Sequence, residues 1–475
     1  TGAVYTIESF EVACANHFTP EELGIKIGDP MTTLKVLNAE QKVLELLSEC
    51  GYPGSKIIDE QYIADYKTKT IAIHLKVDSG PEANFGSTTV IGAPHIQKEL
   101  FENKIAWEEG TTYDTRLVDQ TQKKLLDTGL FSSVIITHEQ EKDGRVPMKI
   151  ESMETKHKNI NIGASYQTFF GPGLTFGWEN RNVSGRGRTL SLKGDVTAKN
   201  HTGTALFFVP DCGRVDQDFA AQAQVMQEAI VTYHEHSYSI TNRIERRIDT
   251  RYRFAVGLKV ERLLVSNSVS NGTFTLTETP LYFRYSSANN LLDPTRGATL
   301  EVVATPAMNF SSFEKFYLAT SVSYAFYKQA TSSNFFVFAN LITLNSIWSA
   351  NLNSVPVPKR VLGGTDELLR GYKFKTVSPL HHDHKPIGGR FGLFYTLEAR
   401  FRLSHTIGVV PFFDIGLVEL SPFPKWHEKW YKSAGIGFRY FTFMGPIRFD
   451  VAFPLDRRKH IDSWYRLLVS IGQTF

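Results

Sequence analysis

The chain has 475 residues, too many for one compact domain of ordinary size, so at least two folded units are expected. Hydrophobic residues make up 42% of it, yet no run approaches the eighteen or so consecutive apolar residues of a membrane-spanning helix, and spanning by helices is excluded. With 52 basic against 49 acidic residues the formal charge is +3, which implies no nucleic-acid partner.

No signal peptide is visible at Thr1, where its charged and apolar regions are missing, so the sequence is expected to begin after processing or inside a longer protein. Over the first 154 residues strand-like runs alternate with helical patterns. Leu34, Leu37, Val43, Leu44 and Leu47 follow largely helical spacing and the segment closes at Gly51; residues 114–128 do the same and close at Gly129. Thr33 and Asp114 are plausible N-cap types. Superposing the two segments gives an internal repeat of about 78 residues. Each copy reads as a strand, two helices and two strands: Tyr5 to Val12, then Lys56 to Tyr62 and Thr70 to Val77 in the first; Phe85 to Ile91, then Val134 to Glu139 and Val146 to Glu151 in the second. The expected units are residues 1–80, 81–155 and 156–475. A three-stranded sheet of this kind leaves an edge open to an extended segment, although a plain spacer reads equally well.

Cys14, Cys50 and Cys212 lack CxxC spacing, which argues against a metal or redox site. A Cys14–Cys50 disulfide and two separate buried thiols both stay open.

From Asn159 the helical period gives way to alternation. Phe391, Leu393, Tyr395, Leu397, Ala399, Phe401 and Leu403 form one face of a strand whose other face carries Thr396, Glu398, Arg400 and Arg402. Ile447, Phe449, Val451 and Phe453 alternate likewise with Arg448, Asp450 and Ala452. Aromatics at 12% with 35 glycines suit many such strands joined by tight turns. Residues 156–475 divide into sixteen strands of roughly twenty residues with their connections, of which a tilted membrane strand takes about 9–11. A soluble open sheet of that size would present aggregating edges, so the fold class expected is a transmembrane antiparallel β-barrel behind two α+β units. Its first strand, Asn159 to Thr168 with Ile160, Ile162, Ala164 and Tyr166 on one face, is short and polar, and its pairing should be the weakest in the ring.

Residues 360–390 are too long for a hairpin turn and alternate too poorly for a strand, so they should form a long extracellular loop. Within it His381, His382, Asp383 and His384 are read as a solvated tip, since adjacent positions rarely converge on one ion. No metal or other cofactor is expected. Neither a Ser/His/Asp constellation, a phosphate-cradling glycine loop nor HExxH occurs, so nothing points to an enzyme.

Leu369-Arg370-Gly371-Tyr372, framed by Gly363-Gly364 and Gly388-Gly389-Arg390, resembles the (V/I)RG(F/Y) loop of the BamA/TamA family of outer-membrane assembly factors, departing from it only in Leu369. The two repeats resemble POTRA domains. Tyr465, Leu467, Val469, Ile471, Gly472 and Phe475 close the sequence in a form resembling the C-terminal β-signal of bacterial outer-membrane proteins. Asn180 to Arg188 is similar to the family's first turn; the forms Asp293-Pro294-Thr295-Arg296-Gly297 and Gly445-Pro446-Ile447-Arg448-Phe449-Asp450 are nearer TamA than BamA.

The resemblance implies a barrel in the bacterial outer membrane with periplasmic POTRA domains. Protein insertion or translocation would run through a lateral seam between the first and last strands. It implies unfolded outer-membrane clients, the lipid bilayer, and a TamB-like partner or assembly lipoproteins as associates. It carries the loop-arginine role to Arg370 and the role of its lumen partners to Asp414 and Glu398. A buried guanidinium needs such carboxylates. A two-partner secretion pore is the rival reading.

Overall fold

A computed structural model describes all residues except 1–4, 15, 140–142, 267–270, 313–314, 331–334, 383–384, 427–428, 443–444 and 472–474. They form two compact units, residues 1–157 with 181–187, and residues 158–180 with 188–475.

The first unit holds two small sheets. In one, β1 (Thr6–Ala13), α1 (Thr33–Glu49), β2 (Lys56–Asp65) and β3 (Thr70–Asp78) give the order β1-β3-β2, with β1 parallel to β3. Thr32 caps α1 by accepting from the Lys35 N–H, and Val36, Ala39, Val43 and Leu47 pack on Ile7, Ile73 and Leu75. Among its described residues the first repeat has this one helix rather than two. Residues 20–24 form turns, because Pro20 is followed by Gly24 and Gly28 in left-handed conformation at φ +76° and +91°.

In the second sheet, β4 (Asn84–Ile91), α2 (Lys98–Lys104), α3 (Thr115–Asp127), β5 (Phe131–His138) and β6 (Arg145–Glu154) give the order β4-β6-β5, and both helices are present. Asp114 accepts from the Arg116 N–H at 2.9 Å to cap α3. Phe85 and Trp107 stack in its core with centroids 5.1 Å apart. All three cysteines are free thiols, so the disulfide alternative is not formed; Cys14 Sγ donates to the Asn16 carbonyl, and Cys50 is exposed rather than buried.

The second unit is a closed antiparallel barrel. Its strands are β7 (Lys158–Gln167), β8 (Gly171–Val183), β9 (Arg188–Thr197), β10 (Asn200–Val209), β11 (Gln217–Ala229), β12 (His234–Ile248), β13 (Tyr252–Ser266) and β14 (Gly272–Glu278). They continue as β15 (Leu281–Ser286), β16 (Gly297–Asn309), β17 (Phe316–Gln329), β18 (Phe336–Ser349), β19 (Phe391–Arg402), β20 (Ile407–Glu419), β21 (Tyr431–Thr442), β22 (Gly445–Pro454) and β23 (Arg466–Ile471). β14 and β15 lie end to end between β13 and β16, and each pairs with both. They are one stave broken at Pro280, which has no N–H for the ladder, so the described segments make sixteen staves. The outward face is apolar: on β13 Phe254, Val256, Leu258 and Val260 are exposed while Ala255, Glu261, Leu263 and Val265 are buried inward.

The terminal strand departs from the expectation of an unbroken alternating run to Phe475. β23 is described over Arg466–Ile471, and Phe475 lies in the lumen, its ring 6.1 Å from Tyr327 and its main-chain oxygen accepting from Arg400 Nη2 at 3.1 Å. In the lumen the Arg400 guanidinium, 5.0 Å from the ring, engages both oxygen and ring, which the outward face could not supply. Gly472, Asp383 and His384 lie outside the described residues, as does the side chain of Ile471.

Candidate functional site

The connection between β18 and β19 folds into the barrel as a strap, starting with 3-10 turns at Leu352–Ser354 and Val357–Lys359. It is doubled back on itself by the bridges Val361 with Gly389 and Gly363 with Val377. Inside this fold Leu369 takes a left-handed backbone, φ +57°, while fully buried. That conformation is costly for a non-glycine residue and turns the next side chain toward the wall. Gly371 follows where the strap meets the barrel: a Cβ there would stand 2.8 Å from the Phe453 carbonyl carbon. No larger residue allows that approach.

Arg370 is completely buried. Its backbone N–H and Nε each donate to Asp414 Oδ2 at 3.1 Å, and Nη2 donates to Asp414 Oδ1 at 2.8 Å. Nη1 reaches Glu398 Oε1 at 2.8 Å and Asp450 Oδ2 at 3.4 Å, and the guanidinium carbon lies 3.4 Å from the Phe412 ring centre. The planar fork suits this bidentate grip and the stacked ring. Alternation places the acids: Glu398 on β19, Asp414 on β20 and Asp450 on β22 all point inward. Around them Arg400 donates to Glu398 at 2.9 Å, Arg439 pairs with Asp450, and Arg448 Nε lies 3.5 Å from Asp450. The Ser433 hydroxyl adds a 3.1 Å bond to Asp414.

Both expected partners of Arg370, Asp414 and Glu398, therefore lie in contact with it. Asp450, Arg439, Arg400 and Arg448 were not expected around Arg370, although the polar-face positions of three of them were readable: Asp450 and Arg448 alternate with Ile447, Phe449 and Val451, and Arg400 follows Glu398 by two. Two further anchors carry no motif. Lys359 lies 2.5 Å from Glu261 and 3.3 Å from Glu278 on β13 and β14. Lys375 donates to Glu228 and to the Tyr233 hydroxyl, each at 2.9 Å. The Tyr372 hydroxyl donates to the Lys432 carbonyl at 2.7 Å. The strap thus crosses the lumen from β11–β14 to β19–β22, and carboxylates on the two walls meet Lys359, Lys375 and Arg370.

The ring closes between β7 and β23. Ile160, Ile162, Ala164 and Tyr166 lie on β7, which is exposed along its whole length on both faces. Tyr465 and Leu467 are exposed and Val469 is half-buried. The Val469 N–H donates to Thr168 Oγ1 at 3.0 Å, which puts the described join at the end of β7 nearest its turn into β8.

The model of the Omp85 superfamily domain matches residues 182–475. Two curated relatives are described as outer membrane protein assembly factor BamA. That of Nitratidesulfovibrio vulgaris is 23% identical over 394 residues, 79% of this chain and 49% of that protein; that of Buchnera aphidicola is 28% identical over 153 residues, 32% of this chain and 25% of that protein. The chain thus spans about half the length, or less, of the curated relatives it matches. Among solved structures, BamA from Haemophilus ducreyi lacking POTRA domains 1-3 covers 98% of this chain, and 99% of itself, at a TM-score of 0.82 and 18% identity. CdiB from Acinetobacter baumannii covers 99%, and 90% of itself, at 0.53 and 13%. These likenesses are of fold.

Proposed function

From the premise that the chain belongs to the Omp85 superfamily, we propose that it is an outer-membrane assembly factor that passes client proteins through the seam between β7 and β23. The barrel lies in the outer membrane with its POTRA domains in the periplasm. The observation that carries this reading is β7 itself. It is the strand at which the ring closes on β23, and every one of its side chains is exposed, on both faces. An opened seam offers backbone donors and acceptors at membrane depth, and an incoming client strand satisfies them by β-augmentation. Nucleotide plays no part; pairing and lipid burial supply the drive.

The lumen, crossed by the strap, favours lateral release over conduction. The two-partner secretion reading, supported by the CdiB likeness, requires the strap to leave, and a large single-channel conductance with one dedicated cargo would favour it. Within the family we place the chain nearer TamA on the forms at Asp293–Gly297 and Gly445–Asp450, while its curated relatives are BamA proteins. A TamB-like periplasm-spanning partner follows from the first placement and assembly lipoproteins from the second; co-purification separates them. The test of the main reading is a disulfide across the join, T168C with V469C. Oxidation should stop client insertion into proteoliposomes, with the barrel still folded, and reduction should restore it; full insertion by the locked form would end the proposal.

A further inference from the structure

The strap also touches both edges of the seam, through groups outside the arginine motif. Phe374 stacks on Phe169 with ring centres 4.1 Å apart and planes 19° apart, and meets Phe170 edge-on at 5.5 Å. Phe169 and Phe170 form the turn that leads β7 into β8, and Lys199 holds that turn by donating to the Phe169 carbonyl at 3.0 Å. On the other edge Arg466, the first residue of β23, donates from Nη1 to the Tyr372 carbonyl at 2.9 Å and the Gly364 carbonyl at 3.3 Å. Its Nη2 donates to Asp366 at 2.7 Å. The Arg466 guanidinium lies 5.9 Å from the Phe374 ring centre, so the two grips adjoin, beside the bond from Val469 to Thr168.

We propose that Phe374 and Arg466 are positioning residues that clasp the seam, the strap holding the β7 edge by its phenyl ring and the β23 edge by its carbonyls. The inference rests on the seam reading and adds its control. The strap is fixed to both walls by Arg370, Lys359 and Lys375, so it resists the separation of β7 from β23. Opening the seam then requires Phe374 to part from Phe169 and Phe170.

The experiment uses the full chain in lipid nanodiscs, with Cys14, Cys50 and Cys212 replaced by serine and spin labels at Ile162 and Leu467, both exposed. The readout is the distance distribution across the seam. F374A should raise the long-distance fraction roughly three- to ten-fold, the ratio that loss of one aromatic contact corresponds to. R466Q should act in the same direction. F374W, which keeps a stacked ring, should retain the parent distribution. F374L fills much of the space without the stack and should open the seam less than F374A, which keeps the test informative if F374A folds poorly. An unchanged distribution in F374L and F374A, both folded, overturns the clasp. So does altered client insertion at unchanged seam distance. A widened seam with unchanged insertion upholds the clasp and removes the proposed function instead.

Discussion

Removing the Arg370 guanidinium isolates one carboxylate and spares two. Glu398 keeps Arg400 at 2.9 Å, and Asp450 keeps Arg439 with Arg448 at 3.5 Å. Asp414 keeps, among the described residues, the Ser433 hydroxyl at 3.1 Å and the backbone N–H of position 370. A charge count predicts the opposite ranking. The four guanidiniums face three carboxylates, so R370M leaves three against three, whereas D414N leaves four against two. Distance decides between them. In D414N the guanidinium still has Glu398 at 2.8 Å, while in R370M the buried Asp414 has no cation within bonding range among the described residues.

R370M should therefore cost about 3–5 kcal/mol, the cost of a buried charge stripped of its partner. D414N should cost about 1–3 kcal/mol, the loss of charge-assisted hydrogen bonds to a group that retains others. The double variant R370M/D414N leaves neither charge orphaned and should cost less than the two single changes added together. The assay is urea titration in detergent micelles, following the heat-modifiable migration of the folded barrel. A D414N variant less stable than R370M would refute the pairing argument, and so would strict additivity.

At Gly371 the limit is space, since a Cβ would meet the Phe453 carbonyl carbon at 2.8 Å. G371A should cost about 1–3 kcal/mol in the same titration and expose the strap to protease added outside. In the second repeat D114A removes the cap of α3 and should destabilise that unit by about 1 kcal/mol in thermal unfolding of residues 81–155. The neighbouring Arg116 holds the Asp114 carboxyl below its ordinary range. Its contribution is therefore fully present above the unfolded-state value and is lost as pH falls through the lower folded one; D114A should show a smaller loss of stability on acidification than the parent, by melting temperature against pH.

The barrel was legible because alternation with period two survives any tertiary context. Phe391 to Leu403 and Ile447 to Phe453 each displayed an apolar and a charged face. The Arg370 site was legible through its motif and through the polar faces of two later strands. What the sequence hid depends on non-local geometry. The missing helix of the first repeat reflects two glycines with positive φ in a segment whose composition alone allowed a helix. The inward position of Phe475 depends on Arg400 and Tyr327, which only ring closure brings near it. Lys359 and Lys375 look like solvated loop lysines until the strap enters the lumen and meets Glu261, Glu278 and Glu228.

The two grips on the seam differ in kind, and that difference assigns the moving edge. Parting β23 from the strap would free the Arg466 guanidinium from three carbonyls and Asp366 in a largely buried position, at several kilocalories per mole. Among the described residues, parting β7 breaks a neutral aromatic stack worth about 0.5–1.5 kcal/mol beyond its buried area and one bond to a hydroxyl, and leaves no charge unpaired. The cheaper rupture is on the β7 side, so β7 with its turn should swing out while β23 stays with the strap. Distances from Ile342 on the far wall report this directly. On opening in F374A, a label at Ile162 should move relative to Ile342 and a label at Leu467 should hold its place; movement of Leu467 with Ile162 fixed would reverse the assignment.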